Sequence, residues 1–319
     1  MDRTLAPKRI EGILRETFTI YKNNFLRLMA IVAIVQVPVI VLALIASLLI
    51  PTYGHWLTED PSPFILFLWV TIYFTMFAAS IWMVGAVIHA VSEQYFNRTV
   101  SIDQAYSFAW RRLGDMFWAA VLVCLALVGI YLATILISIS IALSAGRTVD
   151  NMLIGFIMAG MLSLFMTPAI IYLSVNWTFT SPTALFEGYG PKAALSHSWA
   201  LVKGSWWRVL GMVMLLLLIV QAVFMIFYMP AMMGALGGVM SGIMSEVPGG
   251  FTPYAGTAFP SWMIWALIGG TIGNIISLPL FVIGTTLLYF DLRVRKQGYS
   301  LNALADELGL RRTSVDSVA

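Results

Sequence analysis

Charge is what this chain mostly does without. Asp, Glu, Lys and Arg supply 10% of its 319 residues, against roughly 25% in an ordinary soluble domain. With 60% hydrophobic residues beside that scarcity, a water-exposed globule is excluded and a membrane protein fits. Cysteine is reduced to Cys124, so there is no intramolecular disulfide and no Cys-built metal site. Lying inside an apolar run, Cys124 reads as a small buried apolar residue. The three histidines, His55, His89 and His197, are far apart, which disfavours a triad or metal centre built on them. His-Glu-x-x-His and a glycine loop followed by Lys-Ser/Thr are both missing, which removes the usual zinc-hydrolase and nucleotide-phosphate signatures. No pair of Asp residues falls within an apolar run either. The expectation is a protein that is not an enzyme, holds no cofactor or metal and binds no nucleic acid.

What is present is length without charge. Six stretches, about 28–50, 64–91, 116–143, 152–179, 209–235 and 262–290, contain no Asp, Glu, Lys or Arg. Each exceeds the ~20 residues that cross ~30 Å of hydrocarbon. The first run is longer than the apolar core of a cleavable signal and is expected to stay as a span. Seventeen of the eighteen Lys and Arg fall before the first span, after the even-numbered ones or in the tail, leaving Arg147 alone on the other side. By the positive-inside rule the basic side is the cytoplasm. A multi-pass protein of the cell membrane with both termini cytoplasmic follows. The opposite loops carry Glu59, Asp60, Asp150 and Glu246. On this topology the sequons at Asn97 and Asn176 are not expected to be glycosylated.

A unit recurs three times. "IEGILRETFTIYKNNFLR" from Ile10, "IDQAYSFAWRRLGDMFWA" from Ile102 and "PKAALSHSWALVKGSWWR" from Pro191 align without gaps. Leu14, Tyr106 and Leu195 coincide, as do Phe18, Trp110 and Trp199, then Phe25, Phe117 and Trp206. Arg27 falls on Arg208 and Lys22 on Lys203. Large apolar residues four and seven apart share one helical face, and Pro191 suits a helix start. The pattern reads as an amphipathic helix at the cytoplasmic interface. The competing reading is that interfaces select aromatic and basic residues wherever a chain enters them.

The exits of the even spans repeat as well. Tyr95-Phe96, Thr178-Phe179 and Tyr289-Phe290 align, with Gly85, Pro168 and Pro279 eleven residues before each Phe. The tail extends the pattern, Leu304 on Leu195, Leu308 on Trp199 and Arg312 on Lys203. The expected architecture is all-α: a single membrane domain over 1–319, with six transmembrane helices as three parallel repeats of interfacial amphipathic helix plus helical hairpin. The repeats run about 8–96, 97–180 and 188–290, and a cytoplasmic tail covers 291–319. Parallel repeats relate by an axis along the membrane normal, which gives a pseudo-threefold six-helix bundle.

Two groups of candidate site residues remain. Lys22, Arg27, Arg111, Arg112, Lys203, Trp206, Trp207, Arg208, Asp291, Arg293 and Arg295 would form an aromatic and basic rim suited to anionic lipid headgroups, with Asp291 pairing one of the cations. Gln36, Gln221 and Asn274 are uncharged polar residues inside spans, able to line a hydrophilic path or to join helices by hydrogen bonds. Glycines four apart, Gly269 with Gly273 and Gly234 with Gly238 and Gly242, permit close helix contact, although the second set also reads as an exterior loop.

The stretches "AALSHSWALVKGSWWRVLG" and "TTLLYFDLRVRKQGYSLNAL" resemble the glycerophosphoryl diester phosphodiesterase membrane-domain family and related uncharacterised six-span membrane proteins of bacteria and archaea. That resemblance implies a helical membrane module and carries over no catalytic residue. In some members the membrane region precedes a soluble phosphodiesterase domain, for which the residues after the last span leave no room. Mitochondrial carriers also have three units, but "PVIVLA", "PAIIYL" and "PLFVIG" lack the charges of their motif, and that match is rejected. The expected function is a non-enzymatic membrane module that interacts with membrane lipids, anionic ones included, or with a protein partner or second copy of itself, through its basic face. The alternative is a transporter or channel for a small or amphipathic solute.

Overall fold

A computed structural model describes residues 9–49, 63–96, 98, 100–144, 149–244 and 261–297. Ten helices account for nearly all of them: α1 (Ile10–Asn23), α2 (Phe25–Leu49), α3 (Pro63–Tyr95), α4 (Ile102–Arg111), α5 (Leu113–Ser144), α6 (Val149–Asn176), α7 (Thr180–Glu187), α8 (Pro191–Val202), α9 (Trp206–Met244) and α10 (Ser261–Gln297). Among the described residues there is no strand. Six helices, α2, α3, α5, α6, α9 and α10, are long and apolar enough to cross a membrane.

Each expected span is present, and most run a few residues further than their apolar cores. The α3 helix continues through Glu93 and α10 through Arg293 and Lys296. Short helices α1, α4 and α8 occupy the three stretches before the odd-numbered spans. Gly234 to Gly242 belongs to α9 and is not loop. Cys124 departs from expectation: it is exposed on α5, not buried. The fourth span also ends earlier than read, at Asn176, and α7 follows as a separate buried helix. Gly188, at φ 64°, lets the chain turn left-handed out of α7, and Pro191 opens α8. The tail positions Leu304, Leu308 and Arg312 lie outside the described residues, as do the loops holding Glu59, Asp60, Arg147 and Glu246.

The described residues divide into two compact units, one within 111–213 and 285–297, the other within 9–110 and 214–284. In the second, α1 buries Ile13, Thr17 and Ile20, one helical face at spacings of four and three. Helix α4 buries Ala105, Tyr106 and Ala109, leaving Trp110 61% exposed. The facing stretches of α9 and α10 touch through glycine. A Cβ on Gly269 would collide with the Phe227 carbonyl, and one on Gly273 would come within 3.0 Å of the Phe224 ring.

In the first unit, α7 is almost wholly enclosed, burying Pro182, Thr183, Ala184, Leu185 and Phe186. Its neighbours α5 and α6 are the opposite. Only 6% and 0% of their candidate membrane windows is buried within the protein, against 44% for α3. Leu125, Tyr131, Leu164 and Phe165 project outward. A contiguous apolar surface of that extent suits hydrocarbon and not water.

Candidate functional site

The densest polar arrangement in the first unit lies where α10 ends. Tyr289 and Arg293 are four residues apart and share a helical face; both are buried, at 0% and 2% exposure. The Tyr289 hydroxyl donates to Glu187 Oε1 at 2.6 Å, and Arg293 Nη1 lies 3.3 Å from the same oxygen. Arg293 Nη1 also donates to the Tyr289 hydroxyl at 3.3 Å. His197 Nδ1 stands 3.6 Å from Glu187 Oε2, and its ring stacks on Tyr189 at 4.1 Å. Phe179, Phe186 and Phe290 surround the Tyr289 ring. A carboxylate whose Oε1 meets both a phenol and a guanidinium is held in place.

A second junction sits on the neighbouring turn. Asp291 Oδ2 accepts from Arg208 Nη2 at 2.9 Å and from Arg295 Nε at 2.8 Å. The expected pairing of Asp291 is therefore present, and it is double. Two cations on one carboxylate leave positive charge in excess. Lys296 Nζ donates to the carbonyls of Ala200 and Lys203, the place where a helix end favours a cation. Aromatic rings adjoin this positive group: Trp206 lies 4.8 Å from Trp207 and 5.7 Å from Tyr172, which also meets Trp199. Trp207 is 79% exposed. Arg112 pairs with Asp115 at 3.9 Å, and its guanidinium lies where a Cβ on Gly188 would be.

Side-chain hydroxyls fix the short helices to their neighbours. In the first unit Ser198 Oγ donates to the Asn176 carbonyl at 2.7 Å and accepts from the Phe179 amide at 3.2 Å. In the second, the Tyr106 hydroxyl donates to the Ile31 carbonyl at 2.6 Å, and Tyr21 to that of Ile276 at 2.9 Å. Burial raises both phenols, Tyr106 to about 12. Trp82 Nε1 donates to the Tyr106 carbonyl, and its ring packs between Tyr106 and Trp110. The His89 ring lies 4.0 Å from that of Phe108, tilted by 31°, with Glu93 3.9 Å from its Nε2 and Arg98 3.8 Å from Glu93.

The expected residues thus divide. Asp291, Arg208, Arg295, Trp206 and Trp207 assemble in the first unit around α10's end, with Lys203 at the α8 terminus that Lys296 caps. Arg293 is buried on Glu187, so it is not part of an open rim. Arg111 is exposed at the last residue of α4. In the second unit Lys22 is exposed on α1, and Arg27 is partly buried in the first turn of α2. Gln36 and Asn274 are partly buried and Gln221 is exposed; among the described residues no hydrogen bond joins the three.

Sequence reasoning missed Glu187 and the roles of Tyr289 and His197. The signal available was an acid directly before a glycine, facing a Tyr and Arg four apart on the next charged helix end. Among the described residues no group of three His, Cys, Asp or Glu could hold a metal.

No curated protein and no solved structure matches the chain. A family does match, over α6 to α10 and the intervening segments, which include Glu187, His197, Arg208, Tyr289, Asp291 and Arg293. Six apolar helices and this match make the chain a multi-pass membrane protein, and the resemblance carried by the stretches around Trp199 and Tyr289 holds: residues 148–297 match the family described as the membrane domain of glycerophosphoryl diester phosphodiesterase.

Proposed function

We propose that this protein is a non-enzymatic module of the cell membrane, with both termini cytoplasmic, whose basic and aromatic face holds anionic lipids and through them, or directly, a protein partner. The observation that carries the reading is the Asp291 junction. One buried carboxylate engages Arg208 and Arg295 and leaves net positive charge beside a tryptophan that is 79% exposed. An aromatic ring and a juxtamembrane cation together suit the headgroup layer, with each basic residue worth about 1 kcal/mol at an anionic surface.

Repetition supports the same reading. Helices α1, α4 and α8 each precede an odd-numbered span. The aligned positions Ile13, Ala105 and Ala194 are all buried, and so are Thr17, Ala109 and Ser198. Each of these helices would be an interfacial helix with its inner face fixed, Phe18 and Trp110 being exposed aromatics of α1 and α4. The direct test purifies the whole protein from mixed micelles of phosphatidylglycerol and phosphatidylcholine and weighs the lipid retained by native mass spectrometry. Enrichment of phosphatidylglycerol that falls with salt, and falls further in Lys203→Gln/Trp207→Ala, is expected. Equal retention of both lipids would refute the reading.

One observation favours transport of a small or amphipathic solute instead: Asn274 Oδ1 is buried in α10 without a hydrogen-bond partner. Solute uptake by reconstituted vesicles that disappears in Asn274→Leu would support that path. Gln221, being exposed on α9, does not support it.

A further inference from the structure

Arg27 and Arg208 occupy the same position in the first and third copies of the repeat. Their circumstances differ. Arg208 meets Asp291 at 2.9 Å. Arg27 forms no ion pair or hydrogen bond with any of the described residues, yet its Nη1 is sealed from solvent. The alignment supplies the reason. Phe290 corresponds to Phe96, so the residue matching Asp291 is Asn97, which lies outside the described residues and carries no charge. The first copy has kept the cation and lacks its carboxylate.

A guanidinium partly withdrawn from water and left without an anion is strongly disfavoured. Its neighbours sharpen the point. Leu28, Ile31 and Val32 behind it are fully buried, whereas Phe25 and Leu26 before it are exposed apolar residues, Leu26 at 80%. That combination puts the charge at the boundary between protein, hydrocarbon and headgroups. We infer that Arg27 is an anion-binding site for a phosphate group, which takes the place that Asp291 holds for Arg208. The planar guanidinium fork matches two phosphate oxygens in the bidentate way it matches a carboxylate. A phosphodiester of a membrane lipid and free inorganic phosphate share this chemistry. The inference rests on the lipid-facing reading only for the depth at which the anion is met.

The test uses the full-length protein in neutral detergent and compares wild type, Arg27→Gln and Asn97→Asp for phosphatidylglycerol retained per chain and for thermal stabilisation by added lipid or inorganic phosphate. Wild type should retain one phospholipid more than Arg27→Gln, with its apparent affinity about tenfold or more higher. Asn97→Asp should also lose that lipid while melting no lower than wild type, because by the alignment it supplies the carboxylate that Asp291 supplies to Arg208; this variant keeps the test decisive if Arg27→Gln folds poorly. Stabilisation by phosphatidylglycerol alone assigns a lipid phosphate, and equal stabilisation by inorganic phosphate assigns a soluble anion. Arg27→Gln and wild type behaving alike towards both would overturn the assignment. If wild type still prefers phosphatidylglycerol in that outcome, only the Arg27 site falls. If wild type shows no preference and no response to phosphate, the lipid-facing reading falls with it.

Discussion

Glu187 and Arg293 are placed where neither could stay alone. Both side chains are under a tenth exposed, 9% and 3%, and removing one partner of such a pair typically costs about 3–5 kcal/mol because the other is left buried and charged. Arg293→Met should therefore lower the melting temperature sharply in detergent, and Glu187→Leu/Arg293→Met should recover most of the loss. Additive losses in that double-mutant cycle would show the two groups to be energetically independent. Tyr106 offers a pH handle. Its phenol is buried against the Ile31 carbonyl and raised from the ordinary 10 to about 12. The neutral form is the one the fold favours, so Tyr106 contributes fully below pH 10. That contribution fades as the unfolded phenol ionises first, between pH 10 and about 12. Wild type should lose more stability across that window than Tyr106→Phe, as followed by denaturation at each pH.

Helix contacts set the next constraint, and glycine shows where. Gly269 faces the Phe227 carbonyl so closely that a Cβ has no room, whereas a Cβ on Gly211 would meet nothing within 4 Å. Gly269→Ala should cost about 1–3 kcal/mol, the usual penalty of overpacking, while Gly211→Ala should be neutral or gain up to about 1 kcal/mol of helix propensity. Thermal unfolding of the two variants side by side separates contact from propensity. The spans were legible in advance because an apolar run of that length has one stable place to be. Their ends were not, since α3 runs on through Glu93 and α10 through Arg293 and Lys296, the last two held by partners at α7 and α8 that hydropathy does not see. Helix α7 was illegible for a related reason. Its eight residues are too few for a clear period, and its burial is imposed by α5 and α8. The Asp291 pairing was foreseen because the carboxylate and its cations stand at ends of apolar runs expected on one side of the membrane. Glu187 was not, because its partners lie 102 and 106 positions on at Tyr289 and Arg293.

A cytoplasmic basic side predicts how the chain threads the bilayer. The only native cysteine is Cys124, so in a Cys124→Ala background new cysteines at Asn23 and Gly204, both exposed, report side alone. A membrane-impermeant maleimide should modify both after permeabilisation and neither in intact cells. Reaction of one before permeabilisation and the other only after it would contradict the six-span arrangement. Tyr21 carries a bond of long reach. Its acceptor, the Ile276 carbonyl, lies 255 residues away and three before Pro279, where a proline ring and its missing amide loosen the local helical ladder. Helix α1 thus makes a contact that exists only once residue 276 has been synthesised. Nascent chains halted before residue 276 should therefore leave α1 more open to protease than the finished chain.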